Sequence, residues 1–236
     1  MPPPHAIVTG SSSGIGLAVA HKLLASGWGV TGLDIAATAD ANLSHANYQH
    51  VRLDLADVSR VRQVAVDVLA SGTPYALVHA AGIMHAAPLG QLQADVGAHL
   101  WALHVQAATV LANALLPAMQ MQKQGRLVLI GSRVAHGMAG RSQYAASKAA
   151  LVSLARSWAA EVVADGVTVN VVSPAATDTP MLQASSRATS TPRLPHIGRL
   201  IQPEEVAALV LYLLSPEAAA ITGQEIQVCG GASLDF

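Results

Sequence analysis

Short apolar runs alternate with helical patterns along the whole of this 236-residue chain, and that rhythm limits the fold more than any single motif. Ala6-Ile7-Val8-Thr9 reads as a short buried strand, and Ile15, Val19 and Leu23 follow at four-residue spacing on one face of a helix. Further strands are expected over 28–34, 51–54, 76–78, 126–130, 167–172 and 225–228, with helices over 57–70, 95–121 and 142–164. Pro203 opens a last helix to Leu214, because the first helical position has no use for an N–H. The segment 35–47 is too short for a long crossover helix, and 173–200, with Pro174, Pro180, Pro192 and Pro195, reads as a long irregular loop. Strand–helix–strand units repeated in this way require a parallel sheet covered on both faces. The expected fold class is α/β, a doubly wound parallel sheet of about seven strands. No linker or repeat divides residues 1–236, so a single domain is expected.

Composition agrees. Apolar residues make up 52% and charged residues 11%, which excludes disorder and suits strands buried on both faces. A net charge of −1 gives no basic field for nucleic acid, and 3% aromatics give no base-stacking surface. The longest apolar run, Val206 to Leu214, is nine residues, short of the roughly 20 a membrane span needs. No basic, apolar leader opens the chain, so no signal peptide is expected. A single cysteine, Cys229, fits a reducing cytoplasm. Ten histidines form no His-x3-His pair and no His-Glu-x-x-His motif, so no metal site is expected.

After the first strand, Thr9-Gly10-Ser11-Ser12-Ser13-Gly14-Ile15-Gly16 opens directly into a helix. Glycines let the backbone turn tightly and approach a pyrophosphate, and the helix N-terminus offers free N–H groups. A plain strand-to-helix turn would look similar. Asp34, 18 residues after Gly16 at the end of the next strand, favours a dinucleotide. An acid there accepts both ribose hydroxyls of NAD and repels the 2′-phosphate of NADP, and neither Ser13 nor Ile35 supplies a compensating positive charge.

Tyr144 and Lys148 lie four residues apart at the start of a helix, so they share a face, and Ser132 ends the strand before it. Moving hydride to or from a secondary alcohol also moves a proton on oxygen. A free tyrosine, with a pKa of about 10, is a poor base near neutrality. An ammonium about 4 Å away is worth about 4 kcal/mol on the phenolate, or about three pKa units less the cost of burial. Tyr144 then suits a general acid/base, with Ser132 hydrogen-bonded to the substrate oxygen.

In its Gly-x3-Gly-x-Gly loop the chain resembles the short-chain dehydrogenase/reductase family, and matching segments run from about residue 5 to 232. They include Tyr144-Ala145-Ala146-Ser147-Lys148, Asn170-Val171-Val172-Ser173-Pro174, Pro203-Glu204-Glu205 and Ile221-Thr222-Gly223. The resemblance implies a Rossmann fold and cofactor contacts from Gly10, Ser12, Ser13, Gly14, Ile15, Gly16 and Asp34. It adds Asp54 and Leu55 at the adenine and Ala80, Ala81 and Gly82 after the fourth strand. It also gives Pro174, Thr177 and Thr179 to the nicotinamide side, and Tyr144 and Lys148 to the nicotinamide ribose. A homotetramer paired through the helices near 95–121 and 142–164 is implied, with Trp101, Val105 and Trp158 as apolar residues that suit such a surface or the core.

The chain departs from the family in places. His79-Ala80-Ala81-Gly82 stands where the family has Asn-Asn-Ala-Gly, and His104 stands at its catalytic Asn. In the family that Asn acts largely through its carbonyl, which holds a water in a proton relay to the lysine. His104 therefore joins the catalytic set through its carbonyl or its imidazole, and His79 is a structural or a catalytic replacement. Ala175 replaces a glycine, which disfavours positive φ, and Cys229 reads as a small buried hydrophobe. Loops carrying Met84, His85, Arg133, His136, Met138, Arg141, Leu182, Arg187, Arg193 and His196 should face a small polar or anionic substrate, or solvent. Within the family, Thr31-Gly32-Leu33-Asp34 and Ser173-Pro174-Ala175-Ala176-Thr177-Asp178-Thr179 are similar to NAD-dependent dihydrodiol dehydrogenases of the dihydroxybenzoate type. The expected function is NAD-dependent hydride transfer to or from a secondary alcohol, ketone or cyclic diol. A 3-oxoacyl reductase of the acyl-carrier-protein type and a non-catalytic nucleotide sensor are the alternatives.

Overall fold

A computed structural model describes residues 3–36, 43, 45–183 and 194–234. Seven parallel strands form one sheet in the order β3-β2-β1-β4-β5-β6-β7. They are β1 (His5–Thr9), β2 (Gly29–Asp34), β3 (Tyr48–Arg52), β4 (Ala76–His79), β5 (Gly125–Ile130), β6 (Val167–Pro174) and β7 (Glu225–Val228). The single-domain Rossmann-type α/β fold expected from the sequence is what forms.

Side chains alternate across the sheet because successive residues of a strand point to opposite faces. Ile7, Leu33, Leu77, Leu127 and Leu129 enter one core. That core is closed by α2 (Val58–Ser71), α4 (Ala107–Met121) and α5 (Ser142–Val162). Ala6, Val8, Val30, Val78, Val128 and Ile130 enter the other core, under α1 (Gly14–Ala25) and α7 (Pro203–Leu214). The stretch 94–121 is long and apolar enough to cross a membrane by length and composition alone. Here it is a core helix, with Leu111, Leu115 and Met119 buried against the sheet.

Four features differ from the sequence reading. β3 forms over Tyr48–Arg52 instead of 51–54, in register with β2 from Val30↔Tyr48 to Asp34↔Arg52. It is an edge strand, so it needs no continuous apolar run, and the apolar Val51 and Leu53 misplace it. The long helix is broken: α3 (Ala94–Trp101) leads into a π-helical turn, Ala102–Gln106, before α4. The 173–200 loop includes the end of β6 and a short helix, α6 (Pro180–Gln183), while Arg187, Pro192 and Arg193 lie outside the described residues. Val105 is buried and Trp158 packs partly on the core, so of the three proposed surface residues only Trp101 is well exposed, at 45%.

The order reverses at β1, which lies between β2 and β4. Loops leaving the carboxyl ends of β1 and β4 diverge there and open a crevice, the usual ligand position in open parallel sheets.

Candidate active site

The crevice is a cleft of about 440 Å³. Its floor is the turn after β1. Gly10 has φ +67°, and a Cβ there would meet Ala81 Cα at 2.8 Å; one on Gly16 would meet Gly10 O at 2.1 Å. Only glycine lets this turn fold so tightly against the loop after β4. Gly10, Ser13, Gly14, Ile15, Gly16, Ala80, Ala81 and Gly82 all line the cleft. Backbone without side chains is open to the cleft here at the first turn of α1, which suits a pyrophosphate.

Thr9 fixes that junction. Its Oγ1 accepts the Ala80 N–H at 3.1 Å and the Ala81 N–H at 3.0 Å, and lies 3.0 Å from His79 Nδ1. Asp34 ends β2 beside the same turn, where its Oδ2 accepts the Ser12 N–H at 2.9 Å and its Oδ1 the Ala36 N–H at 2.9 Å. Its carboxylate is thus held in one orientation at the edge of the glycine turn. Asp54 is exposed, with Oδ1 accepting the Ala56 N–H. Leu55 is 4% exposed and its side chain belongs to the core, so only its backbone is available to an adenine.

Ser132, Tyr144 and Lys148 line the same cleft, as do Pro174, Thr177 and Thr179. Ser132 follows β5 and caps the short 3₁₀ turn Arg133–His136. Tyr144 and Lys148 stand one turn apart on α5, with Lys148 Nζ 6.0 Å from the Tyr144 ring centre. Lys148 is buried and donates to Ile130 O at 2.8 Å, and burial lowers its pKa to about 8. Apolar walls come from Met84, Val134, Met138 and Leu182, while Arg141 brings a guanidinium with no ion pair or hydrogen bond among the described residues. Arg133 donates to Ala232 O instead, and His136 lies 3.4 Å from Glu225.

His104 does not line the cleft. It sits in the π-helical turn behind Gly82, where a Cβ would come within 2.9 Å of its Nε2. Nε2 accepts the Ile83 N–H at 3.1 Å, so the ring proton is on Nδ1, which donates to Ser147 Oγ at 2.9 Å. Ser147 Oγ in turn donates to Tyr144 O at 2.8 Å. Burial, then the charge of Lys148, holds the His104 pKa well below the ordinary imidazole value. The imidazole is therefore neutral and fully engaged. Residue type signalled the site but not this closed network, which depends on Ser147 and Ile83. Ala175 has no positive φ, since Lys123 is the only non-glycine with one among the described residues. Cys229 is only half-buried.

A family model described as Enoyl-(Acyl carrier protein) reductase matches residues 10–233. The 3-oxoacyl-[acyl-carrier-protein] reductase of Salmonella typhimurium is 36% identical over 234 residues, covering 96% of each chain. The 2,3-dihydro-2,3-dihydroxybenzoate dehydrogenase of Escherichia coli is 36% identical over 242 residues, again covering 96% of each. A solved structure described as a short chain dehydrogenase/reductase family protein superposes with a TM-score of 0.88 at 36% identity, covering 99% of each chain.

Proposed function

The chain belongs to the short-chain dehydrogenase/reductase family, and from that premise we propose that it is an NAD-dependent oxidoreductase acting on a secondary alcohol, its ketone or a cyclic diol. One observation carries this reading: the glycine turn, Ser132, Tyr144 and Lys148 converge on a single cleft. A bound nicotinamide supplies the hydride acceptor or donor. Ser132 orients the substrate oxygen, and Tyr144 takes or gives the proton on that oxygen. Lys148 holds the nicotinamide ribose hydroxyls and places a positive charge near the phenol. Asp34 favours NAD, because its fixed carboxylate accepts ribose hydroxyls and repels a 2′-phosphate. The Arg141 guanidinium, without an ion pair among the described residues, stands among apolar walls and favours a small substrate carrying an acidic group.

The test is NADH formation from NAD with a panel of secondary alcohols and cyclic diols. Tyr144→Phe should lose turnover by about a hundredfold or more while binding NADH as the parent does. NADH binding without turnover on any substrate favours a nucleotide sensor. The named activity of the Salmonella typhimurium relative supports a second reading, reduction of a 3-oxoacyl thioester. Preferential oxidation of NADPH by such a thioester would establish it over the first. Assembly as a homotetramer through the 95–121 stretch (α3 to α4) and α5 is part of the proposal, supported by exposed Trp101 at the end of α3. Equilibrium sedimentation showing a stable monomer removes it.

A further inference from the structure

His79 is completely buried at the end of β4. Thr9 Oγ1 already accepts two N–H groups, from Ala80 and Ala81, and these fill both its lone pairs. Its own proton must therefore go to His79 Nδ1, 3.0 Å away. Burial, then the charge of Lys148, lowers the His79 pKa to about 3, so the ring is neutral and its one proton is on Nε2. That N–H is buried with no partner in hydrogen-bond geometry among the described residues. Buried donors are seldom left so. The main-chain groups that act on this ring are those of His104 and Leu103, and both favour its protonated form, as facing carbonyls do. Both residues belong to the π-helical turn, where the Ala107 N–H reaches back five residues to Ala102 O. The wider repeat of a π turn frees a carbonyl from the ladder.

We propose that His79 is a positioning residue whose Nε2–H holds the π-turn carbonyls of Leu103 and His104. It does so directly or through one buried water, and it ties the glycine turn to the segment that seats Tyr144. The two histidines then hold opposite tautomers. His79, protonated on Nε2, joins Thr9 to the π turn. His104, protonated on Nδ1, joins the Ile83 N–H to Ser147 and so to the Tyr144 carbonyl. One polar path links the loops after β1 and β4 to α5. Its consequence for turnover rests on the oxidoreductase reading; the tautomers and the tether do not.

The test begins with the full-length ¹⁵N-labelled protein. Long-range ¹H–¹⁵N correlation at neutral pH should show one neutral imidazole protonated on Nε2 and lost in His79→Leu. It should show another protonated on Nδ1 and lost in His104→Asn. A His79 protonated on Nδ1, or titrating near the ordinary imidazole value, overturns the proposal. Amide exchange across 102–107 should quicken by about tenfold or more in His79→Leu and not in α2. His79→Gln, which keeps an N–H near the ε position, should restore it to within about threefold. Unchanged exchange in His79→Leu, or no rescue by glutamine, also overturns it. Should the leucine variant not fold, the tautomers of the parent protein decide alone. NADH and NADPH binding by the parent are measured alongside; failure of both sinks the oxidoreductase reading and leaves the tautomer result standing.

Discussion

Replacing Lys148 by methionine should flatten the alkaline rise in stability expected of the parent protein. The lysine is 4% exposed, and burial takes its ammonium from 10.5 to about 8. Below pH 8 both folded and unfolded chains hold the proton, and the folded state bears the whole cost of a buried charge. Between 8 and 10.5 the unfolded chain keeps a proton that the folded chain has lost. Stability therefore rises with pH across that window. Roughly two and a half pH units at about 1.4 kcal/mol each come to about 3.5 kcal/mol, most of it gained by pH 10. Other groups titrate there too, so the quantity to measure is the difference between parent and Lys148→Met. At pH 7 the variant escapes the buried charge but leaves the Ile130 carbonyl without its donor, and these effects oppose. The change with pH is free of that offset. Urea unfolding followed by tryptophan fluorescence, at one fixed protein concentration, should show the parent gaining about 2–3 kcal/mol on the variant from pH 7 to pH 10. The same gap at both pH values would refute the reasoning and mean that Lys148 is solvated or paired.

Three further outcomes are expected. Asp34→Asn keeps an acceptor for the Ser12 N–H but removes the charge, so the NADP-to-NAD ratio of kcat/KM should rise by about tenfold or more; an unchanged ratio removes Asp34 as the discriminator. Gly82→Ala places a methyl 2.9 Å from His104 Nε2 and 3.5 Å from Lys148 Nζ. It should cost about 1–3 kcal/mol in denaturant unfolding by overpacking and by parting the Ile83 N–H from the ring, and a neutral result would show that the π turn gives way freely. His104→Asn cannot span both Ile83 and Ser147, so stability should fall by about 1–2 kcal/mol. Turnover should persist, because the imidazole does not line the cleft. Complete loss in a folded variant would show that the ring itself takes part.

Much of this molecule could be read from residues alone. Apolar runs broken by helical spacing dictated a parallel sheet, and the positions of Gly10, Gly16, Asp34, Ser132, Tyr144 and Lys148 along the chain placed them at strand ends or on one helix face. Those are local properties: a strand buried on both faces is apolar, and residues four apart on a helix share a side. β3 was misplaced because an edge strand takes its register from β2 and not from its own hydrophobicity. The π turn was invisible because Ala102 to Gln106 continue a helical pattern without a break, and the wider turn is set by what packs around it.

The histidines mark the boundary most clearly. Sequence determined that imidazoles stand at 79 and 104, but not their protons. Which nitrogen carries a proton depends on partners far along the chain: Thr9 for His79, and Ile83 with Ser147 for His104. Hydrogen bonds of that kind exist only once β1, β4 and α5 are packed together. Burial, the first cause that turns these rings and Lys148 away from their ordinary ionisation, is likewise a property of the packed fold and of no single residue.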